Sequence, residues 1–274
     1  MDLGYASIRG RVRHKDEDSI LVELDASMSM DSVSERALIA LADGMGGGER
    51  GEEASRIAIL GVRESRNSIM DNDPMDHNAI LNSLLDAMHY SNEKLVKYKE
   101  EKGYYSMGTT MTIAYYAEGW LHVVNAGDSR AYIFNQGAAS QKTTDNSYVM
   151  EMVKAGRVRE IEASRHPRRN ELTVALGFED NFIPEPYLWR CFRGDSIMLC
   201  CDGLWSALDP TFLALGATSR VTCQEAVNSL ITCADELDGS DNISAVLLRP
   251  SLNVDEEEAI RIPTLSSVTV RNTV

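Results

Sequence analysis

Three short apolar runs, ALIALA at 37–42, SIMLCC at 196–201 and ISAVLL at 243–248, contain no charged residue. Runs this short suit strands better than helices, and a strand without a polar face must be covered on both sides. The rest of the chain has to supply that cover. After Gly51, the residues Ala54, Ile57, Ala58, Val62, Ser65 and Ile69 share one helical face. Behind Asp76, a suitable N-cap, Ile80, Leu84, Met88, Leu95 and Tyr98 do the same, which predicts two helices packed side by side. A third helix starts at Thr222, whose spacing to Glu225 fits a capping box. It should turn Ala226, Val227, Leu230, Ile231, Ala234 and Leu237 inward.

Between Thr109 and Phe134 the texture becomes β-branched and aromatic. The runs TTMTIAYYA, WLHVVNA and RAYIF, separated by Glu118-Gly119 and Gly127-Asp128, predict an antiparallel meander. Strands and helices therefore come in blocks. That pattern predicts an α+β layered domain rather than a doubly wound parallel sheet. No internal repeat interrupts it. The domain is expected to span residues 1–250, with 251–274, acidic and then Ser/Thr-rich, as a tail whose order the sequence does not define. Ser266, Ser267 and Thr269 read as ordinary polar residues of a frayed terminus.

Composition narrows the function classes. Asp plus Glu number 42 against 27 Lys plus Arg, a net charge of −15, so phosphate backbones and anionic lipids are repelled. Nucleic acid and membrane surfaces are poor partners, and divalent cations are better ones. With 43% hydrophobic residues in 274, the chain can bury a core. No apolar stretch approaches the roughly 20 residues of a membrane span. The start, MDLGYASIRGR, has no apolar run of the secretory type, which places the protein in the cytoplasm. The five cysteines, Cys191, Cys200, Cys201, Cys223 and Cys233, form no C-x-x-C pair and read as buried thiols.

The chemistry is concentrated in where aspartates fall. Asp43 follows ALIALA and precedes Gly44-Met45-Gly46-Gly47-Gly48; Asp202 follows SIMLCC and precedes Gly203; Asp241 stands before Asn242 and ISAVLL. Asp18 precedes the run SILVEL, and Asp128 ends WLHVVNAG. Taken singly, an Asp-Gly pair is a turn signal, Asp241-Asn242 an Asx turn, and Asp18 within KDED part of a solvated acidic run. Together they would converge at one rim if these strands are neighbours. Converging carboxylates repel one another unless protons or cations neutralise them. An oxygen-only set with no His or Cys nearby selects Mg²⁺ or Mn²⁺ over Zn²⁺. Two such ions about 3.5–4 Å apart can clamp a phosphoryl group and activate water. The Gly44 carbonyl is a further candidate ligand, because glycine lets the backbone come close.

Seven segments, GRVRHKDEDSI (10–20), ALADGMGGGERGEEAS (40–55), MGTTMTIAYY (107–116), HVVNAGDSRAYIF (122–134), HPRRNELTVALG (166–177), LCCDGLW (199–205) and SDNISAVLL (240–248), now carry a resemblance. In this order they resemble the PPM family of metal-dependent serine/threonine protein phosphatases, the type 2C phosphatases, in their compact bacterial form. The resemblance implies a four-layer α-β-β-α sandwich of two mainly antiparallel sheets. It implies that Asp43 bridges two Mn²⁺ or Mg²⁺ ions, with the Gly44 carbonyl on the first and Asp202 and Asp241 on the second. Glu17 and Asp18 resemble the acidic pair that holds metal-bound waters, Asp128 the residue at a third, weaker metal position, and Arg13 the phosphate-binding arginine. Without the resemblance, Arg13 reads as a surface arginine in a patch with Arg9, Arg11 and Lys15.

The implied reaction is one-step hydrolysis of phosphoserine and phosphothreonine in proteins by a metal-bridging hydroxide, with no phosphoenzyme. The implied partners are phosphorylated proteins and a cognate Ser/Thr kinase. A phosphoprotein-binding relative without turnover is disfavoured because each matched ligand position keeps its oxygen chemistry. A two-metal phosphodiesterase shares the metal logic but not the ordered motifs. Four departures stand out: Met45 where many members have a histidine, Asp16 for a common asparagine, Asn146 in TTDNS where D-H-S is usual, and Val174 for an arginine in ELTVALG. The last two fall in or near the segment implied to form a flap over the site. His14, His77, His89, His122 and His166 read as structural and are left out of it.

Overall fold

A computed structural model describes residues 1–28, 33–45, 50–163, 165–178 and 182–251. The glycines at 46–48 and the tail from 252 onward, with Ser266, Ser267 and Thr269, lie outside the described residues. Among the described residues ten strands form two five-stranded sheets, antiparallel throughout. One sheet runs β1 (Asp2–Ile8), β10 (Ile243–Arg249), β9 (Ser196–Cys200), β6 (Arg130–Asn135), β7 (Ala138–Gln141). The other runs β2 (Asp18–Met28), β3 (Val33–Asp43), β4 (Met111–Ala117), β5 (Trp120–Ala126), β8 (Glu185–Arg190). The first and last strands of the fold pair with each other, Asp2 opposite Arg249.

Strand alternation explains the runs without a polar face. On β3, Leu38, Ala40 and Ala42 pack outward beneath α1 (Gly51–Glu64), α2 (Arg66–Met70) and α3 (His77–Lys102). Ala37, Ile39 and Leu41 point the other way, into a core shared with Ile197, Leu199, Val246 and Leu248 of the facing sheet. That sheet's outer face, with Met198, Ala245 and Leu247, is covered by α6 (Asp202–Trp205), α7 (Pro210–Ala217) and α8 (Cys223–Leu237). The result is the four-layer α-β-β-α sandwich. Two short helices, α4 (Tyr148–Lys154) and α5 (Glu160–Ala163), lie on the connection from β7 to β8.

The caps behave as anticipated. Asp76 accepts a hydrogen bond from the Ala79 amide at 2.9 Å, and the Thr222–Glu225 capping box is complete. Three expectations are corrected. The face that begins after Gly51 belongs to two helices, because Ser65, whose hydroxyl donates to the Gly61 carbonyl at 3.0 Å, separates α1 from α2. Leu237 is 69% exposed rather than inward, since α8 ends there. The meander stops after β5: RAYIF, as β6, crosses to the other sheet and pairs with β9 and β7. Gly127 makes that crossing possible. Its φ is +113°, and a Cβ there would come within 2.5 Å of the Thr110 side chain. All five cysteines are free; four are buried and Cys233 is half-buried.

Candidate metal and phosphate site

The strand ends that carry the aspartates meet at one end of the sandwich. Asp18 opens β2 and Asp43 closes β3, directly opposite each other in register, so their side chains share the face turned toward the other sheet. From that other sheet come Asp202, immediately after β9, and Asp241, just before β10. Asp128 sits in the turn between β5 and β6. Arg13, Asp43, Gly44, Asp128, Asp202 and Asp241 all line one cleft of about 600 Å³, which Leu172, Val174 and Phe178 line as well. Met45 lines it as well.

Glu17 and Asp18 do not line the cleft but stand behind it. The Glu17 carbonyl accepts from the Gly44 amide at 3.1 Å. Gly44 has to be glycine: a Cβ would lie 2.3 Å from the Gly51 carbonyl oxygen and 2.5 Å from that of Glu17. Both carboxylate oxygens of Asp18 are buried and accept no hydrogen bond. Ser244 and the Cys201 thiol stand near enough to ease its ionisation without meeting hydrogen-bond geometry.

Burial and mutual repulsion dominate the electrostatics. Burial, reinforced by Asp18, Asp202, Asp128 and Asp241, pushes the Asp43 carboxyl well above the ordinary aspartate range. Asp18 is raised to about 7 by burial, with the nearby charge of Asp16 adding to it. Asp128 is raised to about 8 by burial, then by Asp202 and Asp145. Asp202 is raised to about 6, burial and Asp241 outweighing the opposing pull of Arg13. Among the described lining residues Arg13 is the only cation, and its guanidinium donates to Asp241 Oδ2 at 2.7 Å. The cluster therefore holds more carboxylates than one arginine can neutralise. The unpartnered oxygens of Asp18 and this shortage of positive charge both fit hard divalent cations.

One sequence expectation fails here. Cys201 Sγ lies within 4.8 Å of carboxylate oxygens of Asp43 and Asp202, so the set is not free of cysteine. Strand alternation turns Cys201 into the core between the sheets, where Asp18 and Asp43 rise from the facing sheet. Its sulfur donates to the Asn242 carbonyl at 3.4 Å and accepts from the Ser244 amide at 3.1 Å. The carboxylates remain the donors directed at the cleft.

Several supporting residues escaped the sequence reading. Asn242, only 3% exposed, donates to the carbonyls of Arg9 (2.9 Å) and Lys15 (2.8 Å) and accepts from the Glu17 amide (3.0 Å). It thereby shapes the loop that carries Arg13 and Glu17. Thr110 brackets Asp43, its hydroxyl accepting from the Asp43 amide at 3.2 Å and its own amide donating to the Asp43 carbonyl at 2.9 Å. Arg130 forms a two-pronged pair with Asp145, at 2.9 and 2.7 Å. The same guanidinium stacks 3.5 Å over the Trp205 ring, whose indole N–H donates to the Asp128 carbonyl at 3.0 Å. The five histidines stay outside the cleft lining; His77 and His122 pair with each other at 3.0 Å on the far side of the β2–β8 sheet.

Comparison with known proteins adds four findings. The sequence model of the protein phosphatase 2C family matches residues 21–228. The serine/threonine phosphatase stp of Listeria monocytogenes serotype 4b is 29% identical over 266 residues, covering 94% of this chain and 100% of that protein. Among solved structures, the serine/threonine phosphatase Stp1 from Staphylococcus aureus superposes with a TM-score of 0.80 at 27% identity, covering 91% of this chain and 96% of that one. The catalytic domain of the phosphatase PstP, solved in complex with 2 manganese ions, superposes with a TM-score of 0.70 at 30% identity, covering 90% and 97%.

Proposed function

This chain belongs to the protein phosphatase 2C family, and on that premise we propose that it hydrolyses phosphoserine and phosphothreonine in proteins at the carboxylate cleft. The observation that carries the reading is the convergence of Asp43, Asp128, Asp202 and Asp241 on one cleft with Arg13, the one cation among its described lining residues. Asp43, the Gly44 carbonyl, Asp202 and Asp241 would hold two divalent ions, Mn²⁺ or Mg²⁺. Asp128 would serve a third position, with Glu17 and Asp18 behind them fixing bound waters. Ions held there supply Lewis-acid polarisation of the phosphoryl oxygens and make water acidic enough to act as nucleophile near neutral pH.

The chain's own groups do the rest. The Arg13 guanidinium is a planar fork of five N–H donors, and its bond to Asp241 leaves others to take two phosphoryl oxygens and balance their charge. Asp241 thus orients Arg13 as well as serving the ions. Leu172, Val174 and Phe178 give the cleft an apolar surface that would limit water around the ester. Met45 cannot donate a proton, so the leaving oxygen takes its proton from water or another group. The Cys201 thiol is buried, hydrogen-bonded and held well above the ordinary thiol range by burial and the adjacent carboxylates, which supports hydrolysis without a phosphoenzyme.

The catalytic domain is residues 1–250. Its partners are phosphorylated proteins and, through them, a cognate Ser/Thr kinase; the net charge of −15 argues against nucleic acid and anionic membranes. Among the described residues no helix is long and apolar enough to cross a membrane. The free thiols support a cytoplasmic site of action. Phosphate release from a phosphothreonine peptide tests the reading, run with Mn²⁺, with chelator, and with Asp43→Asn. Release that requires the metal and falls by several orders of magnitude in the variant is the expected outcome; no release by folded, metal-loaded protein across several peptides sinks it.

A further inference from the structure

Asn146 occupies the position at which the family resemblance leads one to look for a histidine, and it is only 6% exposed. It holds both polar groups of one glycine. The Gly127 amide donates to Asn146 Oδ1 at 3.1 Å, and the Asn146 amide donates to the Gly127 carbonyl at 2.9 Å. The Asn146 carbonyl accepts from the Thr173 amide at 2.9 Å, and its Nδ2 donates to Glu185 Oε1 at 3.1 Å. Gly127 directly precedes Asp128, and Thr173 lines the same cleft. Gly127 also packs against Thr110, the residue that brackets Asp43.

We propose that Asn146 is a positioning residue whose side chain ties the Gly127-Asp128 turn to Glu185 at the start of β8, while its backbone joins the same turn to Thr173, so that the site carboxylate Asp128 keeps one fixed place in the cleft. The chemistry of the side chain suits the task. An amide offers an acceptor to Gly127 and a donor to the Glu185 carboxylate at once, whereas a carboxylate would repel Glu185. The Arg130–Asp145 pair, one residue away, steadies the backbone from which Asn146 reaches. The effect on turnover rests on the phosphatase reading; the mechanical lock does not.

The test uses the full chain with two readouts. Asn146→Ala should lower kcat roughly tenfold or more, the usual cost of losing a group that orients a metal-site residue. The loss should be similar for a phosphothreonine peptide and for p-nitrophenyl phosphate, since the displaced Asp128 serves both. Hydrogen exchange should quicken in the peptide covering 123–129, where the Gly127 amide loses its acceptor, and stay unchanged in β10 and α8. Asn146→Asp combined with Glu185→Gln reverses donor and acceptor across the same bond and should recover most of kcat and of the exchange protection. Wild-type kcat and exchange in Asn146→Ala overturn the proposal. So does faster exchange throughout the molecule that the double variant fails to reverse. An inactive wild type would instead sink the phosphatase reading, and the exchange data would still decide the lock.

Discussion

Arg13 and Asp241 are 228 residues apart in sequence and 2.7 Å apart in space, and the proposed reaction gives each a second use once a phosphoryl group arrives. Arg13→Ala should lower kcat/KM on the order of a hundredfold, less than Asp43→Asn, because the carboxylate framework survives. Steady-state kinetics on a phosphothreonine peptide check this; a loss as complete as that of Asp43→Asn would make Arg13 part of the cation framework instead. The aspartates were legible in the sequence because each sits at the end of an apolar run. Arg13 was legible only through the resemblance, since a basic loop with Arg9, Arg11 and Lys15 has an equally good surface reading. Asn242 and Thr110 were not legible as supports, because their roles consist of hydrogen bonds to segments distant in sequence. Cys201 was misjudged for a related reason: what surrounds it comes from the facing sheet.

Helices with chemical signals at their ends were the easiest elements to read. The Thr222–Glu225 box is exposed and remote from the cleft lining, so Thr222→Ala should cost about 1 kcal/mol of stability and leave kcat unchanged. Urea denaturation beside a peptide assay measures both; unchanged stability would show that α8 is held by its buried face alone. The strands were legible one by one, but their partners were not. Glu118-Gly119 and Gly127-Asp128 give the same local turn signal, yet the first closes a hairpin and the second sends β6 to the other sheet. At the second turn Gly127 lies close against Thr110, a tertiary contact with no local trace. The half-exposed β8 and the short β7 carry too little apolar pattern to announce themselves.

At the scale of the whole molecule, the carboxylates make metal-free stability depend on pH in an unusual direction. Asp202, Asp18 and Asp128 have folded-state pKa values raised to about 6, 7 and 8, against about 3.9 for an unfolded aspartate. Between roughly pH 4 and 8 the native state therefore binds more protons than the unfolded one, and stability falls as pH rises through that window. The melting temperature of metal-free protein should drop from pH 5.5 to pH 8. Mn²⁺ should raise it most at pH 8, where protons no longer neutralise the site. Equal metal-free melting temperatures at the two pH values would mean that the rim does not act as a coupled acidic cluster. The layered fold itself was legible from strands that needed cover on both faces; the pairing of its first and last strands was not, since nothing local links Asp2 to Arg249. That pairing also sets a schedule. During synthesis the sheet containing β1 cannot close until β10 leaves the ribosome, and Asp241 emerges just ahead of it, so a nascent chain has no finished cleft before that point.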